Sequence, residues 1–89
     1  MDQTFQLKVV SPQDTLFEGK ALSVSSRNSA GNFDILPEHA NFITIVENSP
    51  IVIRPASPAE KITFTFPLAI VYVTNNRATI YAKLESPKL

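Results

Sequence analysis

Seven prolines interrupt the chain so often that an uninterrupted amphipathic helix of normal length does not fit comfortably. Proline lacks a backbone N–H donor, and its ring clashes with the preceding turn of a helix. The prolines stand at positions 12, 37, 50, 55, 58, 67 and 87. The chain is therefore expected to fold from short strands and turns.

Between the prolines, apolar and polar residues alternate with a period of two. Phe5, Leu7 and Val9 alternate with polar neighbours, as in a strand with one buried and one solvated face. The predicted strands cover residues 4–9, 15–18, 21–26, 32–36, 41–47, 51–53, 62–66, 68–73 and 77–82. Nine or ten short strands at regular spacing predict an all-β fold class, as a small β-sandwich or flattened barrel.

Two further expectations concern the end of the second predicted strand and the inward side chains of the third. Gly19 is expected to end the second strand, since glycine and proline mark the ends of such segments. In the third strand, Leu22 and Val24 are expected to point inward because they are two residues apart.

Later in the chain, the sequence predicts one hairpin and one central strand. The strands 41–47 and 51–53 are expected to form a hairpin, because the Asn-Ser-Pro sequence of residues 48–50 favours a turn. The run from Leu68 to Val73 has almost no polar residues, so both of its faces are expected to be covered and the strand to lie centrally.

Length and composition predict one domain over residues 1–89, with its core in residues 4–82 and a frayed tail at 83–89. Apolar residues make up 44% of the chain and charged residues 18%, a balance that is too apolar for a disordered segment. Such a short domain without cysteines has modest stability of its own, which makes it a good candidate for docking onto a larger partner.

The charge balance and hydropathy exclude two classes of partner. Eight basic residues balance eight acidic ones, so no cationic field attracts nucleic acid. No stretch reaches the roughly 18 apolar residues of a membrane-spanning helix, so no direct membrane insertion is expected. The N-terminus has no basic flank before an apolar run, and export by such a signal is not expected.

Asp34, Glu38 and His39 are close in sequence and invite comparison with a catalytic carboxylate and imidazole pair. Asp34 alternates with Phe33 and Ile35, which are expected to point inward, so its carboxylate is expected to face solvent. His39 is the only histidine, and it is expected to be a surface or hydrogen-bonded loop residue. With one histidine and no cysteine, the familiar catalytic zinc sites cannot be assembled.

Neither a nucleophile nor a cofactor loop has support in the sequence. The serine and threonine hydroxyls lie outside the strand, elbow and helix context that activates a nucleophile. Gly19 and Gly31 are the only glycines, so a glycine-rich phosphate-binding loop is absent. We therefore predict a chain that is not an enzyme and has no catalytic, metal or cofactor site and no small-molecule ligand.

The aromatic residues Phe64, Phe66, Tyr72 and Tyr81 allow two interpretations. They could form an aromatic platform for sugars or bases, or they could be core and cross-strand pairs with the tyrosine hydroxyls at the surface. Their period-two spacing favours the second interpretation. Side-chain exposure distinguishes the two.

Several short motifs occur together in a recognisable order. They run from Leu7 to Pro12, from Leu16 to Gly19, from Ser23 to Ser25 and from Gly31 to Ala40. In order and spacing, these motifs resemble the N-terminal domain of the F-type ATP synthase epsilon subunit, which is called delta in mitochondria. The most specific motif of that family is Gly-x-x-Gly-x-x-Pro-x-His-Ala, and here Asp34 replaces its second glycine. The resemblance covers residues 4–82.

The resemblance implies a ten-stranded sandwich that packs against the gamma subunit and sits on the polar loops of the membrane c-ring. It implies a non-catalytic rotor subunit of the central stalk, which couples proton transport to ATP synthesis. Such a subunit lies on the cytoplasmic side of the energy-transducing membrane, as a peripheral protein. By this resemblance, the residues that contact gamma or the c-ring are Val10, Ser11, Asn32, Asp34, Glu38, His39 and Ala40.

Within that set, the resemblance implies that Val10 and Ser11 lie on an edge that contacts gamma. It also implies that Asn32 faces the c-ring and that His39 lies near both partners. Most family members continue into a C-terminal helical hairpin, and no such hairpin is expected in these 89 residues. The alternative function is a free-standing β-sandwich that binds a peptide or a carbohydrate, because sandwiches host many functions.

Overall fold

A computed structural model of the protein describes residues 3–56 and 60–83, and every regular element in these ranges is a strand. The strands are β1 (Phe5–Val10), β2 (Thr15–Asn28), β3 (Gly31–Ile35), β4 (Phe42–Val46), β5 (Pro50–Pro55), β6 (Ile62–Thr65), β7 (Leu68–Thr74) and β8 (Arg77–Lys83). The predicted all-β fold class is confirmed. Eight strands are described, where the sequence predicted nine or ten. Within the described ranges, no helix is long and apolar enough to cross a membrane.

The difference in strand number comes from β2, which is 14 residues long. The prediction that Gly19 ends a strand is wrong, because Gly19 pairs with Leu7 of β1 and β2 continues on both sides of it. The predicted strands 15–18 and 21–26 are therefore one strand. Of the tail predicted at 83–89, Lys83 belongs to β8, and residues 84–89 lie outside the described residues.

One continuous ladder of hydrogen bonds connects all eight strands. Its order is β4-β7-β8-β1-β2-β5-β6, and β3 pairs with β2 beside this path. The pairing of β1 with β8 is parallel, and the other six pairings are antiparallel. Because β2 pairs with β1 through its first half and with β3 and β5 through its second half, it connects the two halves of the curled sheet.

The predicted hairpin between residues 41–47 and 51–53 is wrong. Strand β4 pairs with β7, whereas β5 pairs with β2 and β6. The Asn-Ser-Pro segment does turn the chain, and Asn48 takes a left-handed conformation with φ of 52°. Its N–H donates to the carbonyl of Phe66 at 3.0 Å. The turn therefore passes the chain between the two halves of the sheet and does not join neighbouring strands.

A hydrophobic cluster fills the space between the two halves. The predicted inward side chains of Phe5, Leu7 and Val9 are all buried in it. Val24 is buried as predicted, but Leu22 is 42% exposed and its predicted burial is wrong. The register of the β2–β5 pairing shifts between Ala21 and Ser23. Such a bulge adds a residue to one strand and reverses the alternation of its side chains.

Polar contacts add to the packing where β2 approaches other strands. The Ser26 hydroxyl donates to the carbonyl of Pro50 at 2.9 Å, and the Asn28 amide donates to the Thr44 hydroxyl at 2.9 Å. Among the described residues, every buried polar side-chain atom has a hydrogen-bond partner. Since unpaired buried polar groups are costly, these contacts favour one arrangement of the two halves.

Two leucine substitutions test the core and the bulge together. Leu7→Ala is expected to lower the free energy of unfolding by about 2–5 kcal/mol, because Leu7 is fully buried. The matched control, Leu22→Ala, is expected to lower it by less than about 1 kcal/mol, because the side chain is largely exposed. Urea denaturation measures both values. Equal losses for the two variants would contradict the assigned register.

Candidate protein-docking surfaces

The structure places the predicted contact residues in separate regions. Val10 and Ser11 lie at the end of β1, where Val10 pairs with Thr15 at the start of β2. Asn32 pairs with Arg27, near the other end of β2. Val10 and Ser11 therefore lie near one end of β2, and Asn32 lies near its other end.

Asp34 lies on β3 and is exposed, as predicted from its alternation. It pairs with Ser25 of β2, and its carboxylate accepts a hydrogen bond from the Ser25 hydroxyl at 2.5 Å. Asn32 lies two residues earlier on the same strand and is also exposed. Together they give this part of β3 a polar outer surface.

The other predicted residues, Glu38, His39 and Ala40, form part of the loop between β3 and β4. The His39 N–H donates to the Leu36 carbonyl at 3.1 Å, which closes a turn with Pro37 at its second position. Glu38 takes the third position with φ of 63°. This is the pattern of a type II turn, whose third position favours glycine or asparagine. A glutamate there stores about 1 kcal/mol of backbone strain.

His39 is half-buried, and its ring contacts Phe42 edge to face at a centroid distance of 5.3 Å. Its Nδ1 atom lies 2.7 Å from the Ala40 carbonyl oxygen. The prediction of a hydrogen-bonded loop histidine is confirmed. Among the described residues, no group of three His, Cys, Asp or Glu side chains could hold a metal ion.

A second surface, which the site prediction missed, lies on the outer side of strands β4, β7 and β8. Five large apolar side chains are exposed there, with exposed fractions from 39% to 66%, and we call them the apolar face: Ile43, Ile45, Ile70, Tyr72 and Tyr81. In the strand register, Ile43 is opposite Tyr72 and Ile45 is opposite Ile70. Ile70 is in turn opposite Tyr81. The five side chains are therefore neighbours on one surface.

The apolar face continues into a groove beside β1. This groove has a volume of about 380 Å³, and its lining includes Val10, Ser11, Leu68, Ile70 and Tyr81. Val10 is also opposite Tyr81 in the parallel pairing of β1 with β8. Two of the seven predicted contact residues, Val10 and Ser11, thus border a surface that the sequence did not reveal.

The sequence did not indicate the apolar face, because the run from Leu68 to Val73 was expected to be covered on both faces. That expectation is wrong, since one face of this strand is exposed. Ala69, Val71 and Val73 are buried, but the intervening Ile70 and Tyr72 are exposed. The run therefore hides an ordinary alternation whose outer positions are also apolar. Tyr72 was the available sequence signal for an exposed face, since tyrosine is less often fully buried than isoleucine or valine.

Exposure also separates the two interpretations of the aromatic residues. Phe66 is buried, and Phe64 is half-buried and stacks on it at a centroid distance of 5.4 Å. Tyr72 and Tyr81 are exposed on the apolar face. The four residues do not form one platform, and the expectation of core pairs is confirmed for the phenylalanines.

Residues 4–84 match the protein family described as ATP synthase, Delta/Epsilon chain, beta-sandwich domain. The chain belongs to this family. The resemblance over residues 4–82 is therefore confirmed as family membership.

Curated relatives of this Delta/Epsilon family member are ATP synthase epsilon chains. One from a Clostridium botulinum type E strain is 32% identical over 83 residues, which are 93% of this chain and 61% of the relative. One from a Nitratiruptor species is 31% identical over 77 residues, which are 85% of this chain and 58% of the relative. The chain thus spans about three fifths of the length of these relatives.

Solved structures with a similar fold come from mitochondrial ATP synthases. A chain in the central stalk and c-ring structure from Tetrahymena thermophila superposes with a TM-score of 0.77 at 16% identity, over 92% of this chain and 65% of that one. A chain in the OSCP, F1 and c-ring structure from Euglena gracilis gives a TM-score of 0.81 at 10% identity, over 92% of this chain and 52% of that one. At these identities the likeness concerns the fold alone.

Adjacent residues of β4 provide a test of the apolar face. Ile45→Thr is expected to change the free energy of unfolding by less than about 1 kcal/mol, because Ile45 is exposed and threonine suits a strand. Val46→Thr is expected to lower it by about 1–3 kcal/mol, because Val46 is buried and the new hydroxyl loses contact with water. Chemical denaturation measures both. A larger loss for Ile45→Thr would show that the inner and outer faces of β4 are exchanged.

Proposed function

We propose that this chain is a non-catalytic rotor subunit in the central stalk of an F-type ATP synthase. In this role it links the gamma subunit to the membrane c-ring and couples proton transport to ATP synthesis. The observation that carries the proposal is the apolar face on a member of the Delta/Epsilon family. A contiguous apolar surface on a small domain is typical of a protein interface.

The apolar face is the proposed contact with gamma. Its side chains come from three neighbouring strands, and the groove extends it to Val10 and Ser11, which the resemblance already assigned to gamma. Isoleucine and tyrosine side chains bury a large area on docking, and tyrosine is enriched in protein interfaces. The loop containing Glu38, His39 and Ala40 leads directly into β4, so we place it at the border of the same contact.

The exposed polar surface of β3 is the proposed contact with the c-ring. Asn32 and Asp34 offer an amide and a carboxylate at the surface. Such groups suit the polar loops that the family is expected to meet there, because they can form hydrogen bonds without burying a large apolar area. The Ser25 hydroxyl holds the Asp34 carboxylate across the β2–β3 pair, which limits the directions in which it can point.

The mechanical path between the two surfaces follows from the pairing of β2. The gamma contact is built on β4, β7, β8 and the end of β1, and the c-ring contact is built on β3. Strand β2 hydrogen-bonds to both β1 and β3. A load applied at one contact therefore reaches the other through a continuous ladder and a packed core, which deforms little.

The serine hydroxyls support a role without bond-making chemistry. Ser11 bonds to the backbone of Asp14, Ser25 donates to Asp34, and Ser26 donates to the Pro50 carbonyl. In each case the hydroxyl closes a turn or ties strands together, whereas an activated nucleophile needs an adjacent, oriented base. We accordingly assign no catalytic residue, cofactor or small-molecule ligand.

From membership of the Delta/Epsilon family, we also propose a peripheral position on the cytoplasmic side of the membrane.

The alternative of a carbohydrate-binding module is favoured by one observation, the joint exposure of Tyr72 and Tyr81 on neighbouring strands. Exposed aromatic rings of this kind can stack on sugars. Thermal shift measurements with a panel of oligosaccharides distinguish this alternative, since a rotor subunit is expected to show no stabilisation.

Calorimetric titration with the gamma subunit of the same organism tests the proposal. The parent chain is expected to form a one-to-one complex, and Ile45→Lys is expected to weaken its affinity at least tenfold, because the interface would bury an unpaired charge. Thr63→Lys is the matched control, with the same added charge on an exposed residue of β6, and it is expected to bind like the parent. Absence of a complex, or equal weakening by both variants, would reject the proposed contact.

A further inference from the structure

Asn76 joins three segments that are distant in sequence. Its side-chain Oδ1 accepts a hydrogen bond from the Glu38 N–H at 2.6 Å. Its Nδ2 donates to the Thr4 carbonyl at 3.0 Å, and its own carbonyl accepts from the Gln6 N–H at 3.2 Å. One residue in the β7–β8 turn is thus bonded to the β3–β4 loop and to the start of β1.

The bond to Glu38 is placed where the loop is strained. Glu38 has a left-handed backbone in the turn of residues 36–39, and a side chain with a Cβ disfavours this conformation. The turn's own bond, from the His39 N–H to the Leu36 carbonyl, is internal to the loop. The bond between Glu38 and Asn76, in contrast, connects the strained residue to the β7–β8 turn.

The loop presents groups that could meet a partner. Leu36 is 54% exposed and Glu38 is exposed beside it. The His39 ring is packed on Phe42, the first residue of β4. A loop with exposed side chains has many conformations, and fixing it before binding reduces the entropy that is lost on docking.

We propose that Asn76 is a positioning residue that holds the loop of residues 36–40 in the conformation in which it meets gamma. The proposal rests on the proposed function for its partner, and on the three hydrogen bonds for its mechanism. This role does not require Asn76 itself to contact gamma. Its amide orients the Glu38 backbone, and the loop then extends the apolar face at the edge nearest β4.

The β7–β8 turn provides a matched pair of variants. Asn75 and Asn76 are adjacent, and both have left-handed backbones, with φ of 50° and 59°. Glycine tolerates this conformation, so Asn75→Gly and Asn76→Gly both preserve the turn. Only Asn76→Gly removes the side-chain bonds to Glu38 and Thr4.

Hydrogen exchange of the isolated chain, followed by NMR, tests the positioning directly. In Asn76→Gly, the Glu38 amide is expected to exchange at least tenfold faster relative to the core amides of β7 and β8. In Asn75→Gly, its relative rate is expected to stay within twofold of the parent. Asn76→Asp keeps an oxygen acceptor for the Glu38 N–H but cannot donate to Thr4, so it is expected to restore most of the protection. A loss of stability alone would raise exchange throughout the chain and would not be rescued by aspartate.

Titration with gamma tests the consequence. Asn76→Gly is expected to weaken binding threefold to tenfold, while Asn75→Gly binds like the parent. Unchanged exchange of the Glu38 amide in Asn76→Gly, or unchanged affinity despite faster exchange, would overturn the positioning role. If the parent itself failed to bind gamma while the exchange pattern held, the rotor assignment would fall and the hydrogen-bond assignment would stand.

Discussion

Backbone pairing to β2 is the constraint on which the rest of the sandwich depends. Its first half pairs with β1, its second half pairs with β3 and β5, and the register shifts between Ala21 and Ser23. That bulge lets the strand serve both halves of the sheet, and the hydrophobic cluster then fills the space between them. The same strand connects the polar surface of β3 with the strands of the apolar face. The shape of the core and the separation of the two proposed docking surfaces therefore have a common origin.

Under the proposed function, the apolar face is a compromise between stability and docking. A domain of this size buries only a modest apolar area, and it still leaves Ile43, Ile45, Ile70, Tyr72 and Tyr81 exposed. Retaining these side chains outside the core gives up burial within the chain, and docking would restore that burial against a partner. Under the proposed function, gamma covers this face. The domain would then be stabilised by assembly as well as by its own fold, because a partner that binds only the folded state favours that state.

The sequence predicted what depends on local alternation. It found the all-β fold and the inward side chains of β1, because alternation is undisturbed there. It failed at Leu22, where a bulge reverses the alternation, and at residues 41–53, because strand pairing is decided by distant contacts. It also could not show that the outer side of β7 is exposed, since exposed apolar residues in a strand give the same sequence pattern as buried ones. The link from Asn76 to Glu38 spans 38 positions, and only the fold brings these residues together.

Site-specific cross-linking in the assembled ATP synthase tests whether this domain docks through two separate surfaces. The chain has no cysteine, so a single cysteine can be introduced at Ile45 or at Asp34, both of which are exposed. Each is then labelled with a short photoreactive cross-linker before assembly. The label at position 45 is expected to capture gamma, and the label at position 34 is expected to capture the c-ring. Capture of stator subunits from both positions, or of the same partner in equal yield, would contradict docking through two separate surfaces.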